Sequence, residues 1–234
     1  MYKFLCFFLF LPLFGCSLKS EYSFSNTGDF HVFEAKNGFS IDFYSGPTTA
    51  REIQSQKKWV VLNGSYFWLT KSWTPYPAGL WIKNGWTFFP LDTTDPNLSF
   101  VVSLSGSVLE IRKNSESKDQ IPACQENTSG CFAFQAWPLV LSGNLLQDFW
   151  ESWHAYGKYE RTLIGRTQSG RIFFFVFSEK TSLTDAAQDI LKNNIFQKDP
   201  LTLLNLDGWP STSYRDDINE FHPDEKLPIF IHIP

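Results

Sequence analysis

Four short stretches of the chain join residues capable of polar chemistry to turns that would present them. Asp207 ends an apolar run (Leu201, Leu203, Leu204, Leu206); Gly208, Trp209 and Pro210 follow, then hydroxyls at Ser211, Thr212 and Ser213. A carboxylate at the tip of a buried strand, beside a tight turn and a hydroxyl cluster, sets polar groups against a ligand. The same Asp can equally cap its own turn. Arg161 opens the stretch 161–167, RTLIGRT. Its guanidinium can grip two phosphate oxygens in a bidentate fork, which Lys cannot do. The alternative is an ion pair with Glu160 or another acid. Asn63 in NGSYF and Gln135 in FQAWPLV carry amides that can bond a ligand's polar groups or, equally, the loose backbone groups of strand ends. Backbone amides after Gly208, with the Ser211 and Thr212 hydroxyls, can complete an anion cradle.

These groups need elements to hold them. Phe39, Ile41 and Phe43 alternate with polar residues, the period of a half-buried strand, and a hairpin with 30–33 is expected around Lys36, Asn37 and Gly38. Residues 59–62 read as a short strand leading into Asn63. Residues 79–82 and 86–89 pair across Asn84-Gly85, a strong hairpin signal. Another hairpin spans 100–104 and 108–111, and 132–141 and 171–177 are further strands. Leu183, Ala186, Ala187, Ile190 and Leu191 lie on one helical face. Ser182 with Asp185 supplies a start signal, and Asn193-Asn194 a stop. A second helix is expected near 145–154, where His154 sits among Trp150, Trp153 and Tyr156. The expected class is α+β: a mixed, mostly antiparallel sheet domain with a few helices packed on it.

Lys3 and an unbroken apolar run over 4–14 have the form of a signal-peptide core, too short to span a bilayer. Leu13-Phe14-Gly15-Cys16 is similar to a lipobox. This predicts a leader over 1–15, a lipid on Cys16, a tether over 16–28 and one domain over 29–234. Roughly 220 residues then remain, within the range of a single domain. The protein is expected to be exported and held to a bacterial envelope membrane. With Cys6 and Cys16 set aside, Cys124 and Cys131 form the remaining pair across a polar loop, and an oxidising compartment favours a structural disulfide. It would contribute about 2.5 kcal/mol. A net charge of −4, without a basic cluster, gives nucleic-acid binding no support, and the 24 Phe and 9 Trp suit a β-rich domain.

Taken together, the four stretches and the segment Pro77, Gly79, Leu80 and Gly85 resemble the phosphodiester glycosidase family. That family has an NGGFF-like turn, a P-x-G-L-x-x-x-x-G hairpin, a Q-x-G-P-x-L segment, an R-T-x-x-G segment and an N-L-D-G-G-G-S-S/T loop. Gln135, Pro138 and Leu139 follow the third; Arg161, Thr162 and Gly165 the fourth. The order agrees from about 59 to 214. The resemblance implies hydrolysis of a sugar 1-phosphate diester, releasing the sugar and leaving a phosphomonoester. It implies Asp207 and Arg161 as catalytic residues, with Asn63, Gln135, Thr162, Gly208, Trp209, Ser211 and Thr212 around a phosphorylated glycan. Glycosidases generally use two carboxylates; Asp42, Asp92, Asp148 and Asp185 are available as the second. No cofactor is called for, there is no His/Asp/Glu spacing that demands a metal, and a divalent ion is compatible with the composition. In the last loop Trp209 and Pro210 replace two family glycines. The ring either forms a stacking platform or fills the cradle, which leaves a non-catalytic glycan-binding lipoprotein as the alternative function.

Overall fold

The computed structural model describes residues 22–26, 30–36, 39–57, 60–95, 98–105, 108–117, 124, 130–145, 153–207, 211–216 and 219–234. The leader expected over 1–15, Cys16, most of the segment expected as a tether, and the turn Gly208-Trp209-Pro210 lie outside the described residues. The chain runs β1 (Tyr22–Asn26), β2 (His31–Ala35), β3 (Ser40–Thr48), α1 (Ala50–Lys57), β4 (Val60–Asn63), β5 (Phe67–Leu69), β6 (Pro75–Pro77), β7 (Trp81–Lys83), β8 (Trp86–Phe89), β9 (Phe100–Ser105) and β10 (Val108–Lys113). It continues with α2 (Asn114–Ser117), β11 (Cys131–Leu141), β12 (Asn144–Leu145), α3 (Trp153–Tyr156), β13 (Tyr159–Thr167), β14 (Ile172–Thr181), α4 (Leu183–Leu191), α5 (Asn194–Lys198), β15 (Leu201–Asn205), β16 (Tyr214–Arg215), β17 (Glu220–Phe221) and β18 (Leu227–Ile233).

Two antiparallel sheets make the core. The larger is ordered β1-β2-β14-β13-β15-β11-β7-β8, with β9 and β12 paired to β11 and β10 paired to β9; the smaller is β17-β16-β4-β18-β3. Their facing sides meet in one cluster that includes Phe33, Phe174, Ile164, Leu204 and Phe134 from one sheet and Ile41, Leu62, Ile229 and Ile231 from the other. The outer side of the large sheet is covered by α3, α4 and α5, and α1 covers the small one. A strand enclosed on both faces can be apolar at every position. This accounts for Ile172-Phe173-Phe174-Phe175-Val176-Phe177 in β14: Phe173, Phe175 and Phe177 turn to the helices, and Ile172, Phe174 and Val176 to the facing sheet.

Several expectations hold. Asn84 and Gly85 sit at φ 53° and 78° and join β7 to β8, as an Asn-Gly turn requires. Helix α4 is capped by Ser182, whose Oγ accepts from Asp185 N at 3.0 Å. The disulfide Cys124–Cys131 is formed. Others are corrected. The architecture is dominated by strands, and its helices are short covers, so α+β holds only coarsely. Residues β2 and β3 are not a hairpin: β2 pairs with β1 and β14 in the large sheet, β3 with β18 in the small one. Strand β1 lies where a tether was expected and pairs along its length with β2. Of the helix expected near 145–154, the described part is the single turn α3. Among the described residues no helix is long and apolar enough to cross a membrane.

Candidate active site

The polar stretches meet at the end of the large sheet where β13 begins and β15 leaves, with β13 on one side of β15 and β11, Trp137 opposite Asn205, on the other. Strands β13 and β15 pair antiparallel, with Leu163 opposite Asn205 and Ile164 opposite Leu204. One step further, Leu206 N–H donates to Thr162 O at 2.9 Å. Continuing that register sets Arg161 opposite Asp207, positions whose Cβ atoms a regular ladder holds about 5 Å apart. Side-chain alternation places Arg161, Asn205 and Asp207 on the helix-covered face, in line with Leu163 and Leu203.

Asn63 is what gathers the pieces. It ends β4 in the opposite sheet, and its side chain is almost wholly buried. Its Nδ2 donates to Asp207 O at 2.7 Å, and its Oδ1 accepts from Ser213 N at 3.2 Å and from Thr162 Oγ1. Its backbone N–H donates to Ser213 O at 2.9 Å. One amide therefore clamps both ends of the segment 208–212 and ties them to β13. Asp207 N–H adds a bond to Gly64 O at 3.3 Å. Ser211 and Thr212 are buried within this clamp.

Arg161 is 3% exposed, and its guanidinium is already aimed: a terminal nitrogen donates to Gly157 O at 2.7 Å, Nε to Thr181 O at 3.4 Å, and the group lies 5.0 Å over the Tyr159 ring. Burial lowers its pKa from the ordinary Arg value, and Tyr66, Tyr159 and Glu160 counter that. Tyr66 completes the group. Its hydroxyl accepts from Asn205 Nδ2. Burial raises its pKa above the usual phenol value, nearby Asp207 adds to that, and Arg161 and the Asn205 bond oppose it. Tyr66 thus keeps its proton at neutral pH within electrostatic reach of both Arg161 and Asp207.

Three buried side-chain oxygens in these segments, Glu160 Oε2, Asn205 Oδ1 and Thr212 Oγ1, have no hydrogen-bond partner among the described residues. Buried polar atoms are nearly always paired, so such groups gathered in the segments of one site suit a ligand's donors. Tyr66, Asn205 and Glu160 are the residues that sequence reasoning passed over. The first two stood inside the quoted stretches, and only their pairing across the fold marks them.

Gln135 flanks the same strand from its other side, on β11 two residues before Trp137, which stands opposite Asn205, and its amide is spent on backbone. Its Oε1 accepts from Leu80 N at 2.6 Å and Asp92 N at 2.8 Å, and its Nε2 donates to Asp92 O and Leu98 O, both at 2.7 Å. All four of its hydrogen-bonding positions are filled, bracing the loop between β8 and β9 against the start of β7. Gly79, at φ 75°, permits the contact: a Cβ there would overlap Gln135 Oε1. Gln135→Ala is therefore expected to lower stability by about 3–4 kcal/mol, read as a fall in urea midpoint with an unchanged slope. An unchanged midpoint would return Gln135 to the list of ligand-facing groups.

The carboxylates considered as a second acid hold structural posts. Asp42 pairs with Lys83 and lies 3.6 Å from His232, Asp92 caps the turn at Thr94, and Asp185 bonds the helix cap Ser182. Asp148 and the side chain of His154 lie outside the described residues. Among the described residues no three His, Cys, Asp or Glu side chains stand together as a metal site.

A search of the curated proteins finds no match. Solved structures do match. The catalytic domain of zebrafish N-acetylglucosamine-1-phosphodiester alpha-N-acetylglucosaminidase, auto-inhibited by its pro-peptide, aligns with a TM-score of 0.61 at 13% identity, over 91% of this chain and 81% of that one. A Burkholderia pseudomallei K96243 protein described as exported aligns with a TM-score of 0.55 at 10% identity, over 88% and 74%. A hypothetical protein from Synechocystis aligns at 0.50 and 12%, over 90% and 61%. At these identities the likeness speaks to the fold. The family model for phosphodiester glycosidases matches residues 57–229, from the end of α1 into β18, and the chain belongs to that family.

Proposed function

We propose that the protein hydrolyses a sugar 1-phosphate diester carried on a phosphorylated glycan, outside the cytoplasm, with a lipid on Cys16 holding it to the envelope. The observation that carries this reading is the β13–β15 register, which runs from Leu163 opposite Asn205 toward Arg161 and Asp207, with Tyr66 bonded to Asn205 and within electrostatic reach of both. In the reaction water replaces phosphate at the anomeric carbon: the C1–O bond breaks, its electron pair leaves with the phosphomonoester, and the water's proton must go to a base. Arg161 is suited to the phosphate charge that grows as the bond breaks. Asp207 is suited to take the water's proton or to stabilise an oxocarbenium-like transition state. Tyr66, with Asn205 holding its oxygen, can donate a hydrogen bond from its hydroxyl to a phosphate or sugar oxygen and keep its proton. Asn63 and Thr162 act on position, fixing the backbone on either side of Asp207.

Purified protein is expected to release free sugar and phosphomonoester in equal amounts from a sugar 1-phosphate diester. Release of inorganic phosphate, or of nothing across a panel of such diesters, overturns the reading. The second reading, a glycan-binding lipoprotein without turnover, is favoured by Trp209 and Pro210: Pro removes an amide donor and fixes φ where the family has glycine. On that reading the parent binds phosphoglycans without cleaving them, and Trp209→Gly with Pro210→Gly gains turnover.

A further inference from the structure

The hairpin β5–β6 starts in the candidate site and ends at exposed indoles. In its register Phe67 faces Pro77, Trp68 faces Tyr76 and Leu69 faces Pro75. Ala78 N–H to Tyr66 O, 2.9 Å, continues the pairing inward, and Thr70 N–H to Thr74 O, 2.9 Å, continues it outward. Side chains alternate, so Tyr66, Trp68 and Tyr76 share one face, and Phe67 turns the other way to pack on the core. Tyr66 is the ring bonded to Asn205, so the face that begins at Asp207 and Arg161 leads directly to Trp68, which is 50% exposed. Tyr76 stacks on Phe89 at 6.1 Å and seats the hairpin against β8.

The turn adds an independent observation. Lys71, Ser72 and Trp73 form a three-residue loop closed by Trp73 N–H to Thr70 O, with Trp73 at φ 62°. Such loops favour Gly at this left-handed position, and an L side chain there is strained. The chain instead carries an indole that is 79% exposed. Thr70 holds the strained loop: its Oγ1 accepts from Thr74 N at 3.0 Å and lies 2.9 Å from Ser72 Oγ. Strain kept for a ring left this exposed points to a partner outside the protein.

We infer that the hairpin face bearing Trp68 and Tyr76, with Trp73 at its tip, is a stacking platform for the sugar rings of the glycan beyond the scissile diester; this rests on the function proposed above. Flat rings interleaved with hydroxyls suit pyranoses, which pair an apolar ring face with polar edges. A lipid surface fits less well. The Thr70, Ser72 and Thr74 hydroxyls would enter it with the indole, and a chain of net charge −4 has no basic cluster to seat on anionic lipid.

The test measures binding apart from turnover. Full-length protein, Trp68→Ala, Trp73→Gly and the double variant are titrated with yeast phosphomannan, with a capsular polysaccharide linked through sugar 1-phosphates, and with phosphatidylglycerol vesicles. Turnover of a methyl diester of N-acetylglucosamine 1-phosphate is followed separately. Each substitution is expected to weaken polymer binding about tenfold, and the pair about a hundredfold. The small diester should keep its kcat/KM, and Trp73→Gly should melt no lower than the parent. Polymer affinities equal in all four proteins, no polymer binding by the parent, or vesicle binding lost in step with the indoles would each overturn the platform. If the small diester is never cleaved while the indole variants still lose the polymer, the catalytic reading fails and the platform stands.

Discussion

Asp207→Asn is expected to lower kcat on a sugar 1-phosphate diester by about 10²–10⁴-fold, the usual cost of losing a positioned acid or base, with little change in KM or melting temperature. The substitution keeps shape and removes only charge and basicity. The backbone around residue 207 is fixed by groups the change does not touch: its carbonyl accepts from Asn63 Nδ2, and its N–H donates to Gly64 O. The competing role, capping the turn at 208–210, predicts a different outcome. An Asn caps nearly as well as an Asp, so a capping residue would leave turnover within a small factor. Unchanged kcat with an unchanged melting point would remove Asp207 from the chemistry and leave it the capping role. Measuring both quantities on the same preparation separates the two roles.

The difference between those roles was hidden in the sequence for a physical reason. Local pattern sets which residues end strands, and it does so well here: Asn63, Arg161 and Asp207 each stand within two residues of a strand end, and Asn84-Gly85 and Ser182 mark the turn and the cap that form. Pairing across the fold is not local. Nothing in a run such as Phe39, Ile41 and Phe43 tells whether its apolar side meets the neighbouring segment or a strand from the far end of the chain; β3 chooses β18, almost two hundred residues on. The same gap governs the site. An amide at a strand end can face a sugar or satisfy backbone, and only the fold decides. Asn63 became the clamp on either side of 208–212, and Gln135 the brace of the loop between β8 and β9. Tyr66 and Asn205 were unremarkable until the hairpin and β15 brought them together. The turn from 208 to 210 lies outside the described residues, so the substitution experiment on Trp209 and Pro210 carries the question of the cradle.

Arg161→Lys is the second large effect. A fork to phosphate oxygens uses two parallel N–H groups of a rigid plane, and each charge-assisted bond of this kind contributes about 1.5–3 kcal/mol. Lys keeps the charge but not the plane, so one of the two bonds is lost, and kcat/KM should fall roughly tenfold to a hundredfold. Inhibition by a phosphomonoester product should weaken by a similar factor, because the fork grips the group that leaves. The loss should not be a folding effect in disguise, and the environment of Arg161 allows that to be checked. Its bonds to Gly157 O and Thr181 O and its seat on the Tyr159 ring are stabilising contacts that Lys also gives up in part. Some drop in melting temperature is therefore expected whatever Arg161 does for the substrate. If those backbone bonds are its whole purpose, activity assayed well below the melting point stays at the parent level and product inhibition is unchanged. If the guanidinium holds phosphate, both fall together, and the fall persists at temperatures where the variant is fully folded.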